Sequence, residues 1–369
     1  MAASVDNSKI VRPYVHSLLH LASVKVAIPL CNDFDLITLQ EAFDNIQEGL
    51  LENSSDIECS RAQKNILFIP AHLRKTVFDT AQGMKYLAFL WRDLHSVIIK
   101  LEEEDCIFYW RSDGRIDGLK TSQHLVLKKN IDIRVRFYIA CRYCLEDSIQ
   151  TLWKELEASG QTENFETVCN SMVRFWIRRI HNGSRVPWRN ALREFFNDFR
   201  NCHKGARYSS FFPSLRPEER RRFLGSLDPS DVDDYLLCVY ALTKEEEEEL
   251  LVYPLHILCA YLDRPLRSFF LVTVQKMWNY INESDFRFLL NNFFFPRMRK
   301  DFEFDTYELF EGFWNISPVH LRESVRKIPN ISEKIDSCFN DLRRKRKAQF
   351  ELGNSKKKRN ILETNGKMK

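Results

Sequence analysis

Residues that break regular structure are scarce in this chain, with 11 glycines and 12 prolines among 369 residues. Hairpin-rich sheets need such residues at every turn, so their scarcity works against an all-β architecture. Long apolar runs are also missing. The stretches PLHILCAYL and SFFLVTV fall well short of the roughly 20 residues that span a bilayer, so no membrane partner is expected. The opening residues, MAASVDNSKIVRPYVHS, contain no basic segment followed by a continuous apolar one, and no signal peptide is expected. A surplus of one charge is lacking too. The net charge of +4 from 55 basic and 51 acidic residues is too small to demand a polyanionic partner. Finally, no phosphate-binding glycine loop, dinucleotide fingerprint, nucleophile elbow or HExxH string occurs, and the nine histidines are dispersed. These absences predict a non-enzymatic intracellular protein with no cofactor, no catalytic residue and no metal site.

What the chain does have is large apolar side chains, 28 of them phenylalanine, in helical spacing. Periodic runs cover Tyr14 to Leu30 and Asp35 to Leu51, then a helix opened by Pro70, then GMKYLAFLWRDLHSVIIKL. The exception is IFYWRSDGRIDGL, residues 107–119, where Asp113-Gly114 between apolar stretches predicts a hairpin or loop. Breaks are expected at EASGQTEN, residues 157–164, and between Lys204 and Ser230. The acidic runs Glu102 to Asp105 and Glu245 to Glu249 read as solvated faces. The expectation is an all-α multi-helix array, a degenerate helical-repeat solenoid being one form of it, with a disordered basic tail. Its regions are an N-terminal helical region (1–156), a C-terminal helical region (165–340) and the tail (341–369).

Cys141 and Cys144 form a C-x-x-C pair, the spacing of a zinc half-site or a redox couple. The apolar pattern from Phe137 through Cys141, Cys144, Ile149 and Trp153 to Leu156 instead predicts one helix of more than five turns with both thiols on its buried stripe. No second pair with ligand spacing lies nearby, so packing is the expected role. The triplets Cys141-x-Tyr143, Cys238-x-Tyr240 and Cys259-x-Tyr261 repeat one local pattern without a fixed period. They fit either degenerate helix-pair units or coincidence.

Three stretches carry binding signals. RFWIRRIHNGSRVPWRNALREFFNDFR sets Arg174, Arg178, Arg179, Arg185 and Arg189 among tryptophans and phenylalanines. Arginines that meet phosphates beside aromatics that stack on bases would make a nucleic-acid face. The same pattern also fits buried aromatics with solvated arginines outside. After Leu342, Arg343, Arg344, Lys345, Arg346 and Lys347 are followed by Lys356, Lys357, Lys358 and Arg359. Two basic clusters in a polar tail resemble a bipartite nuclear-import signal read by an importin as an extended segment, and a nuclear or nucleocytoplasmic location follows. A solubilising tail is the alternative.

The third signal is N-terminal. Ser17, Leu18, Ala22 and Val26 in SLLHLASVKV resemble the BC box of SOCS-box-type ubiquitin-ligase receptors, which implies a helix that inserts Leu18 into a groove of Elongin C in the Elongin B/C pair. Ile69, Pro70, Leu73 and Val77 in IPAHLRKTV resemble a cullin box, implying a cullin partner. Their separation exceeds what those receptors show, and an ordinary core helix is the competing reading. RFYIACRYCLEDSIQTLW and VPWRNALREFFNDFR further resemble an uncharacterised family of helical proteins expanded in arachnids, a likeness that implies no activity. The expected function is a protein-interaction scaffold or adaptor, with a ubiquitin-ligase substrate receptor as its sharper form and nucleic-acid binding as the alternative.

Overall fold

The computed structural model describes residues 11, 15–50, 56–96, 107–163, 171–197, 207–224, 232–262, 266–294 and 303–366, with the backbone alone at 94, 96, 184, 195–197, 268, 303–306 and 348–366. Among these residues there are eighteen α-helices and no strand, so the protein is an all-α multi-helix array. No described helix is long and apolar enough to cross a membrane. The chain divides into two compact units, Val11–Glu247 and Glu248–Lys369, the division falling inside a short helix.

The first unit begins with α1 (Leu18–Asp33), α2 (Leu36–Glu48), α3 (Ile57–Leu67) and α4 (Ala71–Ser96). Local chemistry sets each start. Ser17, Asp35 and Asp56 cap α1, α2 and α3 through their side-chain oxygens, satisfying backbone donors left over in the first turn. The four helices share one core in which Val24, Ala27, Leu30, Leu39, Phe43, Ala62, Ile66, Val77, Phe78, Ala81 and Met84 meet. The stretch expected as two helices after Pro70 is a single one of 26 residues. Gly83 costs about 1 kcal/mol relative to alanine in a helix, less than the burial of Phe78, Met84 and Trp91 along it returns.

Asp113-Gly114 forms the expected turn, reduced to one antiparallel bridge between Trp110 and Ile116. Arg111 N donates to Arg115 O at 2.8 Å and Asp117 N to Tyr109 O at 2.7 Å. Gly114 takes φ +87°, and a Cβ there would lie 3.1 Å from Val24 Cγ2, so only glycine lets the turn press on α1. Next come α5 (Gly118–Leu127), α6 (Ile133–Arg142), α7 (Glu146–Ala158), α8 (Ser171–Asn182), α9 (Arg189–Asn197), α10 (Pro217–Leu224), α11 (Val232–Tyr240) and α12 (Lys244–Leu250).

Two expectations fail here. The long helix through the C-x-x-C pair is two helices, because Cys144 adopts φ +54°. Cys144 N donates to Cys141 O and Leu145 N to Ala140 O, the paired bonds with which a helix ends at a left-handed residue. Cys144 occupies the position that Gly49 and Gly160 hold at the ends of α2 and α7. The acidic run is not a solvated face throughout, since Glu246 and Glu247 are buried. Glu246 accepts from Thr243 N at 2.8 Å in a reciprocal cap and pairs with Arg220 at 2.9 Å. Glu247 accepts from Val11 N. Residues 157–164, expected as a break between the two helical regions, lie inside this unit, where α8 packs on α6 and His181 meets the Trp153 ring edge-on at 5.7 Å.

The second unit contains α13 (Pro254–Leu262), α14 (Phe270–Met277), α15 (Glu283–Phe294), α16 (Glu303–Ile316), α17 (Val319–Arg326) and α18 (Pro329–Gly366). Its core is aromatic. The Phe313 ring has Phe270, Trp278, Phe286 and Phe293 centred 5.3 to 5.6 Å away, their planes tilted 31–50° from its own. Residues 341–347, placed in the tail by composition, belong to α18, where Leu342 is buried on the same stripe as Ile335.

Candidate functional site

Most helices of a packed array turn one apolar face inward and a polar one outward. Helix α1 departs from this. Its inner face is built from Ser23, Val24, Ala27, Leu30 and Cys31, and Cys31 Sγ donates to Ala81 O of α4 at 3.3 Å. At 100° per residue, Leu18, Leu19, Ala22, Lys25, Val26 and Pro29 fall in an arc of about 120° on the opposite side. All six are exposed, Leu18 by 85% and Val26 by 44%. The outer face is therefore apolar apart from Lys25.

That face is held in place at its N-terminal end. His20 N donates to Ser17 Oγ at 3.1 Å, closing the cap. The His20 ring meets Asp113 O of the turn at 2.9 Å and stacks on buried His16 at a centroid distance of 4.3 Å. Burial, with His20 close by, pushes the His16 pKa down to about 4, so the stacked pair carries no charge on His16 at neutral pH. Ser17, Leu18, Ala22 and Val26 thus lie together on a capped, anchored helix, directed away from the core.

The cullin-box-like residues are placed otherwise. Ile69 and Val77 are buried and Leu73 is packed against the core that α1's inner face enters, while Pro70 is exposed where α4 begins. The outward apolar residue at that corner is Phe68, which the sequence did not single out.

The basic stretch is largely engaged within the fold. Arg174 and Arg178 both face Glu194, Arg174 at 3.9 Å. Arg179 donates to Val186 O at 2.7 Å and lies over the rings of Trp176 and Trp188. Trp176 is buried, and Trp188 stacks on Phe211 with planes 2° apart. Arg185 and Arg189 are exposed. Of the aromatics that would stack on bases, Trp176 is buried and Trp188 is half-buried against Phe211.

The nuclear-import residues Arg343 to Lys347 sit on α18. Arg346 forms a two-pronged pair with Glu311 of α16 at 3.0 and 2.7 Å, Lys345 lies 4.6 Å over the Tyr307 ring, and Arg344 is 3.6 Å from Asp341. Lys356, Lys357, Lys358 and Arg359 lie on the same helix, where only the backbone is described.

Sequence reading missed one cluster altogether. Arg111 and Arg115 each meet Asp233 at 3.0 Å, with Arg207 at 4.0 Å, and Asp234 accepts from Tyr208 N and Ser209 N. Arg111 and Arg115 stand 122 and 118 residues from Asp233 along the chain, and no local signal marks the cluster. Arg115 also pairs with Asp113 at 2.7 Å, so three arginines face three aspartates and the cluster ties the Asp113 turn to α11. Among the described residues no group of three or more His, Cys, Asp or Glu could hold a metal ion. Comparison of the chain with protein-family models, with curated proteins and with solved structures gives no match.

Proposed function

We propose that the protein is a non-catalytic interaction adaptor that docks through the outer face of α1. The observation that carries this reading is the placement of Leu18, Ala22 and Val26 one turn apart on an exposed, capped helix whose other face is already buried. Full burial of a leucine stabilises a complex by about 1.5–3 kcal/mol, so Leu18 alone is worth one to two orders of magnitude in affinity. Leu19, Ala22, Val26 and Pro29 extend the same surface. An amphipathic groove partner that reads positions i, i+4 and i+8 fits this geometry. The likeness to a BC box makes Elongin C the partner and a ubiquitin-ligase substrate receptor the sharper form of the role. Ile69, Leu73 and Val77 support the core, so no cullin contact is assigned to them.

The alternative, nucleic-acid binding through Arg174 to Arg189, has less support. Three of its five arginines are engaged with Glu194, Val186 or the two tryptophans.

The test is co-purification of Elongin B and C with the full chain. Leu18→Asp should reduce capture at least tenfold while Lys25→Ala, on the same face, leaves it intact. Failure of the unaltered chain to retain Elongin C in a purified mixture would remove the receptor reading.

A further inference from the structure

The import reading requires Arg343 to Lys347 as an extended strand, yet the structure holds them in α18. Several contacts keep them there. Leu342, next to the cluster, is buried, and Ile335 two turns earlier is fully buried. Within the cluster, Arg346 is gripped by both oxygens of Glu311, and Lys345 covers the Tyr307 ring. Tyr307, Glu308 and Glu311 all belong to α16, so a single helix supplies an aromatic face and two carboxylates to the basic segment. Arg343, Arg344 and Lys347 are exposed, as is the paired Arg346, but all are fixed at helical spacing. Helical spacing sets neighbouring side chains 100° apart, whereas an extended-segment receptor needs alternate side chains to point the same way.

We propose that α16 masks the first basic cluster, so that a receptor for extended basic segments gains it only when α18 unwinds from Leu342 onward. The mask rests on the import reading and adds a regulatory contact to it. Opening exchanges the Arg346–Glu311 pair and the Lys345–Tyr307 contact for contacts to the receptor. The apparent affinity of the cluster is then the intrinsic one multiplied by the fraction of chains that are open. Anything that weakens the grip of α16 raises that fraction.

The experiment is a titration of purified importin α with the full chain and three variants at physiological salt. Glu311→Gln removes the two-pronged pair, and Glu323→Gln on the exposed surface of α17 makes the same change in net charge without breaking it. The third variant changes Lys356, Lys357, Lys358 and Arg359 to alanine. The mask predicts that Glu311→Gln binds about two- to five-fold more tightly than Glu323→Gln, the range expected for one partly exposed ion pair. Equal affinity of those two variants overturns the mask. If the third variant binds as well as the unaltered chain, or no chain binds, the import reading falls and takes the mask with it. If only the third variant loses binding and the two glutamate variants match, the import reading stands and the mask alone fails.

Discussion

Cys144 shows how a single residue can mislead a pattern and still be explained by it. Its spacing from Cys141 suggests chemistry, its hydrophobic register suggests packing, and its backbone does a third thing: it ends α6 in a conformation that usually belongs to glycine. Periodicity could not reveal the break. Residues on both sides keep their apolar rhythm, with Phe137 and Cys141 before it and Ile149, Leu152 and Trp153 after it all buried. The packing role was legible for Cys141, which is buried as a small hydrophobe, while Cys144 is only half-buried. Burial pushes the Cys144 thiol up to about 12 and the Cys31 thiol likewise to about 12. Near pH 8, roughly one thiol in ten thousand is then ionised at either site, and only the thiolate reacts. Under native conditions iodoacetamide should leave Cys31 and Cys144 unmodified over hours, while in denaturant all ten cysteines react. Peptide mass spectrometry reads the outcome, and native alkylation of Cys144 ahead of the other thiols would restore a reactive role for the pair.

Among the elements, α1 was the one whose character the sequence left open. Its residues are apolar all round, so the period that identifies a helix could not say which side faces the core. The answer came from a partner far along the chain, the turn at Asp113-Gly114. That turn was legible as a turn, but its contact with Val24 was not, because nothing local encodes which surface a loop will press against. Basic helices α8 and α9 pose the same problem. Either side of the arginine stretch was consistent with the spacing, and only the positions of Glu194 and the Trp188–Phe211 stack show where the tryptophans go. Paired substitutions measure the clamp on α1. Gly49→Ala meets open space at φ +80° and carries only the left-handed penalty of about 1–2 kcal/mol. Gly114→Ala adds a methyl group 3.1 Å from Val24 to a similar penalty and should cost about 1–2 kcal/mol more. Urea unfolding of both variants gives the difference. Equal losses would mean that Val24 yields freely and that the turn does not position α1.

At the scale of the whole chain, the helical class was plain from what is scarce and what recurs, whereas the division into units was not. Turn residues at 157–164 invited a boundary, yet the first unit continues past them to Glu247, and the division falls in an acidic run without a glycine or proline. Packing between distant helices decides such boundaries, and packing partners are not written locally. The same long-range burial gives the first unit a pH dependence that composition does not suggest. His95 is fully buried, with Nδ1 2.6 Å from Trp91 O and Nε2 3.1 Å from the Tyr143 hydroxyl. Burial, then the nearby Arg142, holds its pKa well below the usual histidine value, and burial holds His16 at about 4. Both stay neutral in the folded chain where the unfolded chain would take up protons. Their contribution is therefore complete above about pH 6.5 and is lost as pH falls toward 4, because the unfolded state then binds more protons. A group that titrates only when unfolded imposes at most about 1.4 kcal/mol per pH unit. Asp35 and Asp113, both held below the ordinary carboxylate range, add a further loss only below about pH 4. Urea midpoints should thus be flat from pH 8 to 7 and fall steadily between pH 6.5 and 4.5. In a His16→Gln, His95→Gln double variant, weaker at pH 7.5, that fall should shrink by more than half. A fall of unchanged steepness in the double variant would place the proton uptake on other groups and remove these two histidines from the account.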